Sequence, residues 1–286
     1  MASGRYGALL DALHGLRWPA RLRAGSGAPG SHQARQRGPG GDFTEVRSYR
    51  QGDDPRQLDW RVLARTDRPF VRLKDDRVAR ATWLVVDASA SMAYPSAEHV
   101  TGKWGMARAV TVGLASIALA GGDPVGMVVV HATGVLRRPA RMRRGMVQEV
   151  AEQLDALPCG GVAPLAPVLE TLPPRVRVVV CTDGLGDAPA QRRVVARLVA
   201  GGAEVTCVQL VAREELRPPP RPETARDPEG GVPDQLRDAA GWEAYQVRFE
   251  AFRQAEAAAW QAVGARWVEG CADEAPALVV RRVVTG

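Results

Sequence analysis

At 286 residues the chain is longer than a typical domain of about 100–150, so one core with appended segments is expected. Hydrophobic residues make up 45% and charged residues 24%, a balance that excludes wholesale disorder. The net charge of +6 comes from arginine more than lysine; it favours acidic partners and selects no reaction by itself.

Four cysteines, Cys159, Cys181, Cys207 and Cys271, show no Cys-x-x-Cys spacing, which argues against a zinc site or a disulfide framework and suits a reducing cytoplasm. No stretch approaches the roughly 18–20 apolar residues that cross a bilayer, and no cleavable leader is evident. A cytoplasmic protein without a transmembrane segment is the expectation.

Near the N-terminus Leu9, Leu10, Leu13 and Leu16 recur at helical spacing, followed by Arg17, Arg21 and Arg23. Such a stripe packs on its own domain or, as the other outcome, makes peripheral contact with an anionic membrane surface. Gly25 to Gly41 is an irregular run of Gly, Pro, Ser, Arg and Gln, and residues 1–41 as a whole read as a flexible basic segment.

Residues 42–80 form a second segment. Gly52-Asp53-Asp54-Pro55 is a turn signal, with Asp54 as helix cap, Pro55 at the first helical position and Gln57 completing a capping box, which predicts a short helix through Arg65. Around it stand Arg47, Arg50, Asp59, Trp60, Arg61 and Arg65. With Asp54, these residues are the candidate partner-binding set, and a surface ion-pair lattice is the competing reading.

From residue 81 to 286 short apolar runs alternate with helical stretches, which predicts an α/β domain with a doubly wound, mostly parallel sheet. Strands are expected at Trp83–Val86, Val125–His131, Val176–Cys181 and Ala203–Val211. Thr133-Gly134 should turn the chain into an edge hairpin through Val135-Leu136. Helices are expected at Met106–Ala120, Gly145–Leu157, Pro164–Leu172, Pro189–Ala200 and Trp242–Val263, with last apolar elements at Ala265–Val268 and Leu278–Val284.

Asp87 and Asp183 each follow a run of β-formers and so stand at carboxyl ends of strands, where open parallel sheets bind ligands. Two carboxylates there repel unless protonated or bridged by a cation. Asp87-Ala88-Ser89-Ala90-Ser91 adds two hydroxyls, and Mg²⁺ takes about six oxygens near 2.1 Å, several of them water. Asp87, Ser89, Ser91 and Asp183 are therefore the candidate ligands of Mg²⁺ or Mn²⁺.

This loop, together with Thr182-Asp183-Gly184, resembles the metal-ion-dependent adhesion site of von Willebrand factor type A domains. The block Tyr49-Arg50-Gln51-Gly52-Asp53-Asp54-Pro55-Arg56-Gln57-Leu58-Asp59-Trp60-Arg61 is similar to the opening signature of the bacterial domain-of-unknown-function-58 family, whose members join it to a type A-like domain. The likeness runs from about Phe43 to the C-terminus. It implies a protein-interaction module working with a MoxR-type AAA+ ATPase in assembling or remodelling other proteins. One departure stands out: the family commonly has Gly-Gly-Thr in the second metal loop, and here the residues are Gly160-Gly161-Val162, so a ligand oxygen is missing.

Enzyme readings find little support. A haloacid-dehalogenase-type phosphatase needs a second acid two residues after its first aspartate, where Ser89 stands. Neither serine lies in Gly-x-Ser-x-Gly, and the histidines, His14, His32, His99 and His131, form no evident triad. No phosphate-binding Gly-rich loop occurs, and no aromatic stacking motif points to nucleic acid. A metal-dependent phosphoester hydrolase is carried as the alternative to the non-enzymatic adapter.

Overall fold

The computed structural model describes residues 4–19, 45–51, 58–73, 79–94, 102–218, 223–225, 235–237 and 239–286. The chain divides into two compact units: residues 1–23 with 79–286, and residues 24–78. Helix α1 (Gly7–Ala12) belongs to the larger unit, while β1 (Glu45–Ser48), α2 (Trp60–Thr66) and β2 (Phe70–Leu73) build the smaller.

In the smaller unit β1 and β2 pair antiparallel, with Arg47 opposite Val71. Helix α2 starts later than its sequence suggests. Asp59 is the N-cap, its carboxylate accepting from the backbone N–H groups of Arg61 at 3.0 Å and Val62 at 3.2 Å, so the helix begins at Trp60. The capping assigned to Asp54, Pro55 and Gln57 lies outside the described residues, and Leu58 instead bridges to Val71 in an extended conformation.

The larger unit is built on β3 (Thr82–Ala88), β4 (Val125–His131), β5 (Gly134–Arg141), β6 (Arg177–Thr182), β7 (Glu204–Val211) and, past the short β8 (Glu223–Ala225) and β9 (Gln235–Arg237) pair, β10 (Arg266–Cys271). The sheet order is β10-β7-β6-β3-β4-β5. Every neighbour is parallel except β5, which returns antiparallel along β4 as the edge strand and carries Arg137, Arg138, Pro139 and Arg141. Val, with Leu and Met, dominates the apolar positions of the central strands because a parallel sheet is covered on both faces.

Side chains alternate between two cores. Leu84, Val86, Met127, Val129, Val179 and Leu210 face one side, where α1, α3 (Lys103–Ala120), α4 (Met146–Ala156) and α9 (Pro276–Thr285) pack. Trp83, Val85, Val128, Val178, Val180 and Cys207 face the other, under α5 (Leu165–Glu170), α6 (Ala188–Ala200) and α8 (Ala239–Ala262). Helix α3 is apolar nearly all round because it is covered by the sheet below and by α1, α4 and α9 beside it.

The leucine stripe settles on this domain. Leu13 is buried, with Leu9, Leu10 and Leu16 packed against the same core. Gly113 makes the approach possible: a Cβ there would stand 2.8 Å from Leu13 Cδ1. Farther along, the Arg177 guanidinium lies 4.3 Å from the Trp18 ring centroid and pairs with Asp123 at 3.0 Å. The expected flexible segment over residues 1–41 is thus corrected at its front, since residues 4–19 are docked, whereas residues 20–44 lie outside the described residues. Among the described residues no helix is long and apolar enough to cross a membrane.

Candidate functional site at the carboxyl rim of the sheet

The topology itself sets a switch point. Parallel neighbours β3 and β6 lead into α3 on one face and α6 on the other, so the loops after them part at the carboxyl edge. Asp87 is the penultimate residue of β3, and Asp183 directly follows β6.

Hydrogen bonds tie the two loops together. Asp87 Oδ1 accepts from the Ser89 backbone N–H at 2.9 Å, and Oδ2 accepts from the Thr182 hydroxyl at 2.7 Å. Thr182 Oγ1 in turn accepts from the Gly184 N–H at 3.1 Å. The Ser89 and Ser91 hydroxyls lie 3.0 Å apart as a mutual pair. All four expected ligand residues are buried at this rim.

The Gly160–Val162 loop is joined to the same place. The Gly160 N–H donates to the Ala88 carbonyl and the Ala90 N–H to the Gly161 carbonyl, each at 2.9 Å. Gly161 has φ of 62°, and a Cβ on it would stand 2.7 Å from that of Ala132, so glycine is required. Val162 turns its apolar side chain outward, 62% exposed.

Asp183 has another partner. Its Oδ1 accepts from the Leu185 N–H at 3.1 Å, and its Oδ2 receives the Lys103 ammonium at 2.9 Å. Lys103 Nζ also donates to Glu215 Oε1 at 2.8 Å, while Glu215 Oε2 accepts from the Ala212 N–H at 2.7 Å. Glu215 lies on α7 (Arg213–Leu216), directly after β7.

The electrostatics follow from burial and crowding. Burial, then the neighbouring Asp183 charge, pushes the Asp87 carboxyl up to about 6, against the lowering effect of the Thr182 and Ser89 hydrogen bonds. Burial disfavours the Lys103 ammonium, but the Asp183 and Glu215 carboxylates outweigh it and raise its pKa above the ordinary value. Burial, then the Asp87 charge, pushes the Cys159 thiol up to about 12, which keeps it protonated and a poor nucleophile. His131 Nδ1 is 3.1 Å from the Thr133 hydroxyl.

These residues do not fit a three-loop divalent site. The loop after β3 offers Asp87, Ser89 and Ser91. The second loop offers Val162, which has no side-chain oxygen, and the carboxylate of the third is already paired with an ammonium.

The candidate partner residues belong to the other unit. Trp60 is 63% exposed on α2, and Arg50, Arg61 and Arg65 are exposed, with Arg65 Nε donating to the Arg61 carbonyl at 3.2 Å. Asp59 is occupied as the helix cap, Arg47 lies on β1, and Asp54 is outside the described residues. Reading the sequence overlooked Lys103 and Glu215. The available signal was a lysine directly after Gly102 at a helix start, where positive charge is disfavoured.

A family model described as "Protein of unknown function DUF58" matches residues 45–255. The chain is 31% identical over 282 residues to the uncharacterized protein Rv1480 of Mycobacterium tuberculosis and equally to Mb1516 of Mycobacterium bovis, covering 96% of this chain and 84% of each relative. Among solved structures, it is similar to the conserved hypothetical protein BatB from Bacteroides thetaiotaomicron, at 14% identity and a TM-score of 0.43 over 72% of this chain and 97% of that one. Another is the SpRpn10 VWA domain, at 11% identity and a TM-score of 0.42 over 72% and 95%. The chain belongs to the DUF58 family.

Proposed function

We propose that this DUF58 member is a non-enzymatic, cytoplasmic interaction module that works with a MoxR-type AAA+ ATPase in assembling or remodelling other proteins. One observation carries the reading: three large apolar side chains are displayed on loops that converge on the buried Asp87 cluster. Tyr94 follows the β3 loop, Val162 ends the Gly160–Val162 loop, and Leu185 is hydrogen-bonded through its N–H to Asp183, with 41%, 62% and 50% exposure. Exposed apolar groups around a rigid polar centre suit a protein partner, since such groups anchor interfaces when desolvated.

The polar centre favours no reaction. The residue two beyond Asp87 is Ser89 rather than a second acid, and the Ser89 and Ser91 hydroxyls engage one another. On the smaller unit, exposed Trp60 with Arg61 and Arg65 is proposed as a separate partner contact.

Co-purification tests the reading. Wild type is expected to retain the MoxR-type ATPase, and Leu185→Glu to lose at least tenfold in affinity, about 1.4 kcal/mol, without a change in melting temperature. Turnover of a generic phosphoester with Mg²⁺ or Mn²⁺, abolished by Asp87→Ala, would sink the reading in favour of a hydrolase.

A further inference from the structure

Lys103 is placed where a cation is hardest to keep. It is the first residue of an 18-residue helix, whose N-terminus carries partial positive charge, and its side chain is 1% exposed. Helix dipole and desolvation both oppose an ammonium there. It is retained by two carboxylates at 2.9 and 2.8 Å, with the Tyr94 ring centroid 5.9 Å away.

These contacts come from separate parts of the rim: Tyr94 from the loop after β3, Asp183 from the loop after β6 and Glu215 from the helix after β7. One ammonium therefore ties the carboxylate of Asp183, a candidate metal ligand, to the segments after β3 and β7. The same chain has Val162 where the second loop would contribute an oxygen, and the Asp183 carboxylate is engaged on both oxygens. The absent side-chain oxygen at Val162 and the fixed positive charge of Lys103 point the same way.

We infer that Lys103 is the resident cation of this rim, holding the loops after β3, β6 and β7 together in place of a divalent ion. The inference concerns how the rim is held, so it stands or falls separately from the identity of any partner.

The test uses the full chain, freed of metal by chelation. Thermal unfolding with MgCl₂ up to about 10 mM should leave the wild-type midpoint within about 1 °C, because no ligand binds the native state. Lys103→Met should lower the midpoint by about 5 °C or more, and Mg²⁺ should restore part of it by neutralising the Asp183 and Glu215 carboxylates left without their cation. A saturable rise in the wild-type midpoint with Mg²⁺, or a Lys103→Met variant that melts with wild type, overturns the inference. Should that variant fail to fold, Mn²⁺ titration of wild type followed by the signal of free Mn²⁺ decides the matter. Uptake of one equivalent refutes a resident ammonium, and no uptake supports it.

Discussion

Replacing Leu13 by alanine should uncouple the N-terminal helix from the α/β domain. Leu13 is 3% exposed and lies in the core beneath α1, close to Gly113 of α3 and Val280 of α9. Removing such a leucine costs its transfer free energy and leaves a cavity, typically about 2.7–5 kcal/mol. A six-residue helix at the margin of the core can partly collapse or detach, so we place the cost near the lower end, about 3 kcal/mol. At roughly 2–4 °C per kcal/mol for a domain of this size, the midpoint should fall by about 6–12 °C. The contact also makes a second, signed prediction. Gly113→Ala introduces a Cβ 2.8 Å from Leu13 Cδ1, so it should destabilise wild type. In a Leu13→Ala background the clash with that methyl is gone, while the gain from alanine in a helix, about 1 kcal/mol, remains. The double variant should therefore be more stable than the sum of the single losses. Denaturant unfolding of the four proteins closes the cycle. A loss below about 1 kcal/mol for Leu13→Ala, or strict additivity, would refute the docking of α1.

Two further perturbations probe the other unit and the rim. Asp87 has a folded pKa of about 6, above its ordinary 3.8, so the native state holds the proton more tightly than the unfolded chain. The cost is absent below about pH 4, grows through the window between the two values and is complete above about 6. Asp87→Asn should accordingly gain about 3 kcal/mol relative to wild type between pH 4 and pH 7, read from denaturant midpoints at both; a pH-independent difference would contradict it. Asp59→Ala removes the cap of α2 and should cost about 1 kcal/mol, seen as faster hydrogen exchange at the Arg61 and Val62 amides, and unchanged exchange there would contradict the capping assignment.

The sheet and its switch point were legible because runs such as Val178-Val179-Val180 permit little except a buried strand, and each such run ends at a turn. The positions of Asp87 and Asp183 follow from those strands alone. The start of α2 was harder. Asp54 and Asp59 are both competent caps; Asp59 is the one that opens Trp60–Thr66, and Asp54 lies outside the described residues. The leucine stripe of α1 has the same period whether it meets a core or a lipid surface, so only Gly113 on a distant helix decides between them. Lys103 escaped notice for a similar reason. Its carboxylate partners lie 80 and 112 residues away, and no local pattern records a charge pair closed over that distance.

One of the two border strands of the sheet, β5, has a consequence for how copies of this chain meet. An unprotected border strand invites another molecule to add its own, and open-ended stacking follows. Here the border bears Arg137, Arg138 and Arg141, with exposed Arg143 and Arg144 just beyond, and Pro139 withholds one amide donor. Two such borders brought side by side would oppose like charges along their length. The arginines that make the protein basic thus also disfavour edge-to-edge pairing of one β5 with another.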